Sequence, residues 1–297
     1  MLLLAALVWG VAFVAQSEGL NYVGAFTFNT CRFILGGAVL IPCIYFLHGR
    51  KDSAWQTLSE KEKKEQTRMG IIGGICCGCI LCLASCLQQF GIAQTTVGKA
   101  GFITTLYIII VPFMGLFLKR KIGINIWISA VIAAVGMYFL CITESFSIGA
   151  GDRLVLMCSV VFSVHILVID HFSPKADGVV ISCVQFFTAG VIASVLMLLF
   201  EHPSVSAVIA AAAPILYAGV MSCGVGYTLQ VVAQNGVDPT VASLLLSLES
   251  VFSVLGGWII LHERMNGREL FGCALIFAAV ILAQIPLEAF RRKSSTQ

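Results

Sequence analysis

Residues 70–93 of this chain read GIIGGICCGCILCLASCLQQFGIA and contain no charged side chain. A helix needs about 20 consecutive, mostly apolar residues to cross the hydrocarbon core of a bilayer. The stretch is long enough to do so, and its cysteine, serine and glutamine residues are too few to cover a water-facing surface. It therefore predicts a membrane-spanning helix.

The composition of the whole chain agrees with that interpretation. Hydrophobic residues make up 59% of the 297 positions and charged residues only 11%. Soluble domains average about 45–50% apolar and about 25% charged residues. The apolar residues also form long blocks rather than one helical stripe, so lipid is the expected solvent. A net charge of +3 is small and does not indicate a nucleic-acid partner.

Ten segments of the chain, residues 70–93 among them, are long and apolar, and glycine, proline and charged residues separate them. Lipid offers the backbone no hydrogen-bond partners, so these segments are expected to be helices, and they are too long and too uniform for strands. The predicted fold class is an all-α membrane protein with ten transmembrane helices. Their approximate bounds are 1–17, 25–47, 70–93, 98–118, 123–143, 152–172, 178–200, 208–233, 240–261 and 268–288.

Lysine and arginine are concentrated in alternate loops. They cluster in residues 48–69, at 119–121 and in the basic tail 289–297. Because cytoplasmic loops carry the excess of positive charge, both termini are predicted to lie in the cytoplasm, with the protein in the cell membrane. In the loop 48–69, Ser59 and Glu62 fit a capping box, which predicts a short surface helix near anionic lipid.

An internal repeat is visible when the chain is shifted by 142 residues. The shift aligns Leu87-Gln88 with Leu229-Gln230, Ala100 with Ala242, Leu106 with Leu248, and Gly115 with Gly257. Earlier in each half, Cys31-Arg32-Phe33 aligns with Val184-Gln185-Phe186. We expect two repeats of five helices each, over residues 1–143 and 152–288. Since five is odd, the second repeat would enter the membrane from the opposite side, as in inverted-repeat transporters.

Cysteine is frequent, with twelve residues, five of them between Cys76 and Cys86. One helix cannot surround a metal ion, and no histidine or acid lies beside these thiols. We interpret them as small residues that let helices pack closely, and we expect no metal site, cofactor or structural disulfide. Gly74 and Gly78 form a small-xxx-small pair with the same interpretation.

Three residues with charged or imidazole side chains lie in the interior of predicted spans, away from the span ends, where charge is costly unless it faces a cavity or a partner. Glu249 is a candidate for binding a substrate amine or carrying a proton; its structural alternative is a hydrogen bond to a neighbouring helix. His165 could relay protons or stack on substrate, or be a satisfied interior histidine. Arg32 could hold a substrate carboxylate, pair with a carbonyl, or extend outward.

Amide and aromatic residues complete the set of candidate cavity-lining residues. Gln88 and Gln230 are repeat-related and could serve mirrored gates, although interhelical hydrogen bonding is the simpler interpretation. Tyr107 aligns with Glu249 and should also approach the midplane. Pro112 is expected to kink its helix. The remaining candidates are Trp9, Gln16, Asn29, Gln185 and Tyr227.

A family resemblance rests on several of these residues. The stretch from Leu248 to Trp258, followed by His262-Glu263-Arg264, resembles the late motif of EamA-type proteins of the drug/metabolite transporter superfamily. Residues 100–107 and Val111-Pro112 resemble the same motif in the first half, and Trp9-Gly10 and Arg32 match early family positions. His262 departs from the glycine that is usual there. The resemblance implies a secondary transporter, often an exporter of amino acids, metabolites or drugs.

The main alternatives are an intramembrane enzyme and a membrane receptor or sensor. The chain contains no His-Glu-x-x-His, Gly-x-Ser-x-Gly or Walker motif, so we expect no enzyme. A channel would reuse rings of identical groups, which fits single polar residues less well. We expect a carrier whose partners are a small-molecule substrate, protons as a candidate coupling ion, and the lipid bilayer, acting as a monomer or homodimer.

Overall fold

The computed structural model of the chain describes residues 1–50, 54–95, 97–119, 122–141, 148–260 and 267–284. Regular structure in these ranges is helical throughout, which confirms the predicted all-α class. The helices of the first half are α1 (Leu2–Gly19), α2 (Ala25–Gly49), α3 (Ala54–Thr57), α4 (Glu60–Ile92), α5 (Val97–Thr104), α6 (Tyr107–Phe117) and α7 (Ile124–Cys141).

The second half is also built of long and broken helices. Its α-helices are α8 (Ala150–Phe172), α9 (Gly178–Phe200), α10 (Val205–Ala210), α11 (Ala212–Leu216), α12 (Thr228–Gln234), α13 (Pro239–Leu246), α14 (Glu249–Ile260) and α15 (Gly267–Gln284), with a π-helix at Tyr217–Tyr227 between α11 and α12. His262-Glu263-Arg264 and the basic tail 289–297 lie outside the described residues.

Seven helical segments of the described chain are long and apolar enough to cross a membrane. Three further apolar segments are shorter, at Ile124–Phe139, Pro239–Ser253 and Leu270–Ala283. Each of these ten segments overlaps one of the predicted spans. Their outward surfaces carry many exposed large apolar side chains, such as Tyr45 and Phe117, as expected for contact with lipid.

The loop between α2 and α4 differs from its prediction. The capping box is present, since the Ser59 hydroxyl accepts from the Glu62 backbone N–H (3.3 Å) and the Glu62 carboxylate accepts from the Ser59 N–H (2.8 Å). The helix that starts there is not a separate surface helix, however, because α4 continues unbroken into the membrane. Lysine and glutamate propagate a helix well, so nothing between Glu60 and Gly70 ends it.

Two predicted spans, 98–118 and 240–261, are interrupted. One break separates α5 from α6 at Thr105-Leu106, and the other separates α13 from α14 at Ser247-Leu248. At each break a hydroxyl bonds the preceding turn: Thr105 Oγ1 donates to the Gly101 carbonyl (2.9 Å), and Ser247 Oγ donates to the Leu244 carbonyl (2.8 Å). Such bonds bend helices. Pro112, the predicted kink, lies within α6 instead.

Glycines set the closest helix contacts. Gly78 on α4 faces α9, where a Cβ atom would lie 2.6 Å from the Gln185 carbonyl oxygen and from Thr188 Cβ. Gly74 meets Val184 on the same helix in the same way. Both contacts agree with the small-xxx-small interpretation. The described cysteines are free thiols, and Cys77, Cys82 and Cys86 are buried among these helices.

Gly10 is a position where we expect a side chain to damage the fold. A Cβ atom there would lie 2.7 Å from Phe252 Cβ and 2.8 Å from the Glu249 carbonyl oxygen, so α1 and α14 would have to separate. Gly10→Leu should destabilise the protein by about 1–3 kcal/mol. The midpoint of thermal unfolding in detergent measures this. Gly49→Leu is the matched control, because no atom lies within 4 Å of a Cβ there. Equal midpoints for the two variants would contradict the predicted contact.

Candidate functional site

A cavity of about 40 Å³ lies where the helices of the two halves meet. Residues from α1, α2, α4, α5, α6, α8, the π-helix, α12, α13 and α14 line it. Nine of the eleven predicted candidates are among them: Trp9, Gln16, Arg32, Gln88, Tyr107, His165, Tyr227, Gln230 and Glu249. The remaining lining residues are Ala12, Phe13, Thr104, Phe162, Ile166, Ser222 and Leu246.

Arg32 supplies the positive charge of the cavity. It projects from α2, is only 2% exposed, and donates through Nη1 to Gln16 Oε1 on α1 at 2.9 Å. Gln16 is itself held by Gln89 of α4, whose side-chain amide donates to the Gln16 carbonyl at 3.1 Å. Three helices therefore fix the position of the guanidinium group.

The guanidinium group of Arg32 lies against aromatic rings rather than against a carboxylate. Its Cζ atom lies 4.9 Å from the centre of the Phe33 ring and 5.8 Å from that of Phe28. Arg32 forms no ion pair with any residue that the structure describes, and its Nε–H is buried without a hydrogen-bond partner. An uncompensated buried charge is costly, so the group is suited to an anionic ligand.

Glu249 supplies the acidic group. It is the first residue of α14, directly after the break in that span, and is 4% exposed. Its Oε1 accepts a 3.0 Å hydrogen bond from the hydroxyl of Tyr107, the first residue of α6 after the matching break. No basic residue of the described chain forms an ion pair with Glu249. A helix N-terminus favours an anion there, and the carboxyl group is free to meet a cation.

His165 and the aromatic residues form a third part of the wall. His165 Nε2 lies 3.1 Å from Gln185 Oε1, while its Nδ1 is buried without a partner. The Tyr227 ring lies 6.1 Å from the His165 ring and 4.5 Å from the Trp9 ring. The Trp9 indole N–H donates to the Ser222 carbonyl in the π-helix at 3.4 Å, and π-helical turns often accompany functional sites.

The two repeat-related amides both line the cavity, but their surroundings differ. Gln88 donates to the Thr104 hydroxyl at 3.3 Å, whereas Oε1 of Gln230 is buried without a partner. Thr104 was missed from the sequence; it is the last residue of α5, directly before the break that precedes Tyr107. An unpartnered buried amide oxygen can accept a hydrogen bond from a ligand.

Two predicted candidates lie outside the cavity wall. Asn29 is fully buried and donates to the Cys86 sulfur at 3.6 Å, which joins α2 to α4. Gln185 is also fully buried and contributes only by contacting His165. Each of these amides forms a hydrogen bond to a residue of a neighbouring helix instead of lining the cavity. This role is available to any buried amide in a membrane protein.

The assembled groups are suited to binding. The cavity combines a guanidinium, a carboxyl group, unpartnered amide and imidazole atoms, and an aromatic wall. Among the described residues, no group of three or more histidine, cysteine, aspartate or glutamate side chains is arranged to hold a metal ion. The chemistry available to a bound molecule is therefore charge pairing, hydrogen bonding and stacking.

Comparisons with known proteins bear on this site. A protein of Archaeoglobus fulgidus described as an uncharacterized transporter is 29% identical over 285 residues, covering 96% of this chain and 84% of its own. The uncharacterized transporter YoaV of Bacillus subtilis is 22% identical over 281 residues, covering 93% of this chain and 92% of its own. A solved crystal structure with 19% identity has the same fold, with a TM-score of 0.73 over 97% of this chain and 96% of that one.

The sequence model of the EamA-like transporter family matches this chain twice, over residues 1–142 and again over residues 149–284. The residues that form the cavity fall within the two matches, with Arg32 and Tyr107 in the first and His165 and Glu249 in the second. The chain therefore belongs to the EamA-like transporter family, within the drug/metabolite transporter superfamily.

Proposed function

We propose that this membrane transporter is a secondary carrier that exports small zwitterionic metabolites, such as amino acids, by alternating access. The observation that carries the proposal is the pair of opposite charges, Arg32 and Glu249, that line one buried cavity without being paired to each other. A free amino acid presents a carboxylate and an ammonium group that match them. Membership in a transporter family favours this over an enzyme or a receptor.

We propose further that the chain forms ten spans in two inverted repeats, residues 1–143 and 152–288. The two helix breaks support this, because Thr105-Leu106 and Ser247-Leu248 are separated by the same 142 residues that align the halves. The hydroxyl bonds at the breaks also correspond, since Thr105 donates to the Phe102 carbonyl as Ser247 does to that of Leu244.

Contacts between equivalent residues give independent support. Two copies related by a two-fold axis can touch through identical positions only at that axis. Tyr107 and Glu249, related by the 142-residue shift, are hydrogen-bonded. Phe33 and Phe186 are equivalent in the earlier alignment, and their rings stack with an interplanar angle of 15°. Both contacts are expected if the two-fold axis that relates the repeats passes through the protein beside the cavity.

The directions of α2 and α9 also fit inverted repeats. The beginning of α2 is bonded to Glu201, which follows the last residue of α9, while His48 near the end of α2 is bonded to Asp177 at the start of α9. These repeat-equivalent helices therefore run antiparallel. Inverted repeats let one packing arrangement exist in two mirrored states around a central site, which is the physical basis of alternating access.

The repeat explains how the cavity distinguishes the two ends of a substrate. Arg32 is aligned with Gln185, and Tyr107 with Glu249, so each half replaces one charged residue of the other by a neutral one. A symmetric scaffold thus presents a cation from the first repeat and an acidic group from the second. A zwitterion would bind with its carboxylate toward Arg32 and its ammonium toward Glu249, while Trp9 and Tyr227 contact its side chain.

Proton coupling, the orientation in the membrane and the oligomeric state are also part of the proposal. Glu249 is the proposed proton carrier, because a carboxyl group in the cavity can exchange a proton with either side. The basic loops place both termini in the cytoplasm of a cell-membrane protein. A monomer is sufficient for this site, since every group named here comes from one chain, and a homodimer would contain two separate sites.

Solute flux in proteoliposomes tests the proposal. Purified protein would be reconstituted and presented with radiolabelled amino acids, nucleobases and cationic drugs, each with protein-free vesicles as control. Saturable flux of amino acids, with competition among them, is the expected result. Flux of nucleobases or drugs alone would contradict a zwitterion site, and flux that rises linearly without saturation would contradict a carrier.

A further inference from the structure

One end of the α2–α9 pair is closed by a carboxylate on a helix N-terminus. Glu201 follows the last residue of α9, and its Oε1 accepts from the Phe26 N–H at 3.0 Å. Its Oε2 accepts from the Thr27 N–H at 2.8 Å and the Thr27 hydroxyl at 2.6 Å. A Cβ atom on Gly24 would lie 2.3 Å from the Glu201 carboxyl carbon. Glycine at position 24 thus leaves room for the incoming carboxylate.

The opposite end of the pair is closed by a histidine and an aspartate. Asp177 Oδ1 accepts from the Val179 and Val180 N–H groups at 2.7 and 3.2 Å and so caps α9. Its other oxygen, Oδ2, lies 3.0 Å from Nε2 of His48 on α2. Both side chains are partly buried, at 19% exposure for His48 and 27% for Asp177, so solvent only partly screens the pair.

The two ends are equivalent in the repeat. The alignment of Cys31-Arg32-Phe33 with Val184-Gln185-Phe186 is a shift of 153 residues, which also pairs Gly24 with Asp177 and His48 with Glu201. Both carboxylates flank α9: Glu201 follows it at the joint where α9 ends, and Asp177 precedes it at the joint where α9 begins. The same joint is thus built twice, with its acidic group on the helix that ends there in one case and on the helix that begins there in the other.

We propose that these joints are two latches, one on each membrane face, and that the His48–Asp177 latch alone weakens as the pH rises through the neutral range. The inference rests on the proposed alternating access, in which the two ends of α2 and α9 separate in turn. In the predicted orientation the His48 latch faces the cytoplasm. A more alkaline cytoplasm then favours opening of the inner face, and a more acidic one keeps it closed.

The chemistry of the partners determines the sign of this effect. Histidine changes charge between about pH 5 and 8, whereas the groups that donate to Glu201 are two backbone amides and a hydroxyl, which do not. When His48 is protonated, it forms an ion pair with Asp177; when it is neutral, only a hydrogen bond remains. Loss of the proton therefore removes the charge attraction that joins the two helices.

Other groups surround His48. Trp55 of α3 stacks on the imidazole, with ring centroids 4.1 Å apart and an interplanar angle of 2°, and the Gln56 amide donates to the His48 carbonyl. Arg50 lines the same recess as a second basic residue, and Asp177 is its acidic residue. Gln66 of α4 and Asn235 after α12 line it as neutral groups.

Trp55 provides a direct measurement of the protonation of His48. A protonated imidazole quenches the fluorescence of a stacked indole, so tryptophan emission of the full-length protein in nanodiscs should rise as pH increases from about 6 to about 8. Subtracting the signal of Trp55→Phe isolates this tryptophan. The pH-dependent component should disappear in His48→Gln, whose amide nitrogen takes the place of Nε2. A component that persists in His48→Gln would overturn the assignment.

Hydrogen exchange then tests whether protonation holds the helices together. Asp177→Asn keeps Oδ1 as the cap of α9 but removes the charge that meets His48. Exchange of the first turn of α9 should be about two- to fivefold faster in Asp177→Asn than in wild type at low pH, the range expected for one partly exposed ion pair. The ratio should fall as the pH rises, toward the smaller constant factor that loss of the negative charge at the α9 N-terminus gives, and taking it at each pH cancels the intrinsic pH dependence of exchange.

Glu201→Gln is the matched control on the other face. His202 lines the same recess as Glu201, so this control is measured in a His202→Gln background. There Glu201→Gln should accelerate exchange of the first turn of α2 by a factor that does not change over the same pH range. A ratio for Asp177→Asn that is independent of pH would overturn the proposed latch. Neither measurement requires transport, so a protein that gives both signals but moves no solute would support the latch and contradict the proposed carrier.

Discussion

Arg32→Gln should lower the apparent affinity for carboxylate-bearing substrates by about 10- to 100-fold, the range that one hydrogen bond to a charged group of ~1.5–3 kcal/mol represents. The guanidinium of Arg32 has no carboxylate partner in the described chain, so a bound substrate would supply it. The affinity for the corresponding decarboxylated amine should change little. Concentration-dependent flux of an amino acid and of its amine, in the same proteoliposomes, measures both.

Two variants separate a role in binding from damage to the fold. Arg153→Gln removes an exposed arginine from α8, outside the cavity, and should transport as wild type does. Arg32→Lys keeps a positive charge on α2, so it should retain more of the affinity for a carboxylate than Arg32→Gln does. Equal losses for the amino acid and its amine in Arg32→Gln would contradict a carboxylate site.

The polar part of the site was predictable because the membrane limits where such residues can lie. An arginine, a histidine or a glutamate within an apolar span has to face a cavity or a partner. Arg32, His165 and Glu249 all line the cavity, and the aromatic and amide candidates beside them mostly do so too. The energetic cost of burying charge in lipid is therefore a stronger guide to location than helix periodicity is.

The rotation of each helix about its own axis was harder to predict. This rotation determines whether a given polar side chain points into the cavity or toward a neighbouring helix. Asn29 and Arg32 are three residues apart on α2, yet Asn29 bonds the Cys86 sulfur while Arg32 reaches the cavity. Gln89 lies beside the predicted Gln88, but its amide holds the backbone of Gln16. An amide side chain can form hydrogen bonds equally well in the cavity or against a neighbouring helix. Only the packing of the surrounding residues determines which of the two it contacts.

The helix breaks were missed because their signal is local and weak. Thr105 and Ser247 differ in identity, and hydroxyl residues within apolar spans usually bond their own helix without ending it. Pro112 was expected to kink its helix, and it lies within α6, which is not interrupted there. The repeat relation between Thr105 and Ser247 is the signal from which both breaks could have been predicted. Two hydroxyl residues at equivalent positions of two apolar spans together indicate an interruption that neither residue indicates alone.

The two helix breaks place the N-termini of α6 and α14 at the cavity. Tyr107 and Glu249 are the first residues of α6 and α14, and the positive ends of the helix dipoles meet there. Discontinuous helices of this kind form ion and substrate sites in inverted-repeat transporters. The Tyr107–Glu249 hydrogen bond joins the two breaks, so a change at the carboxyl group acts on both repeats at once.

Glu249→Gln should reduce amino-acid flux by about 10- to 100-fold, because a neutral amide cannot pair with the substrate ammonium group. It should also remove the dependence of flux on an imposed pH gradient, since an amide neither takes up nor releases a proton. The shape of the side chain and the hydrogen bond from Tyr107 can both be retained. Initial rates in proteoliposomes, with and without the gradient, measure the two effects separately.

Tyr107→Phe is the control that separates the charge of Glu249 from its hydrogen bond. It removes the 3.0 Å bond and leaves the carboxyl group in place, so flux should fall by much less and its response to the gradient should remain. If Glu249→Gln loses flux but responds to the gradient as wild type does, the carboxyl group binds substrate and the proton moves through another group. If flux and gradient response both survive in Glu249→Gln, the carboxyl group is a structural partner of Tyr107, and the ammonium site has to be sought at the aromatic wall.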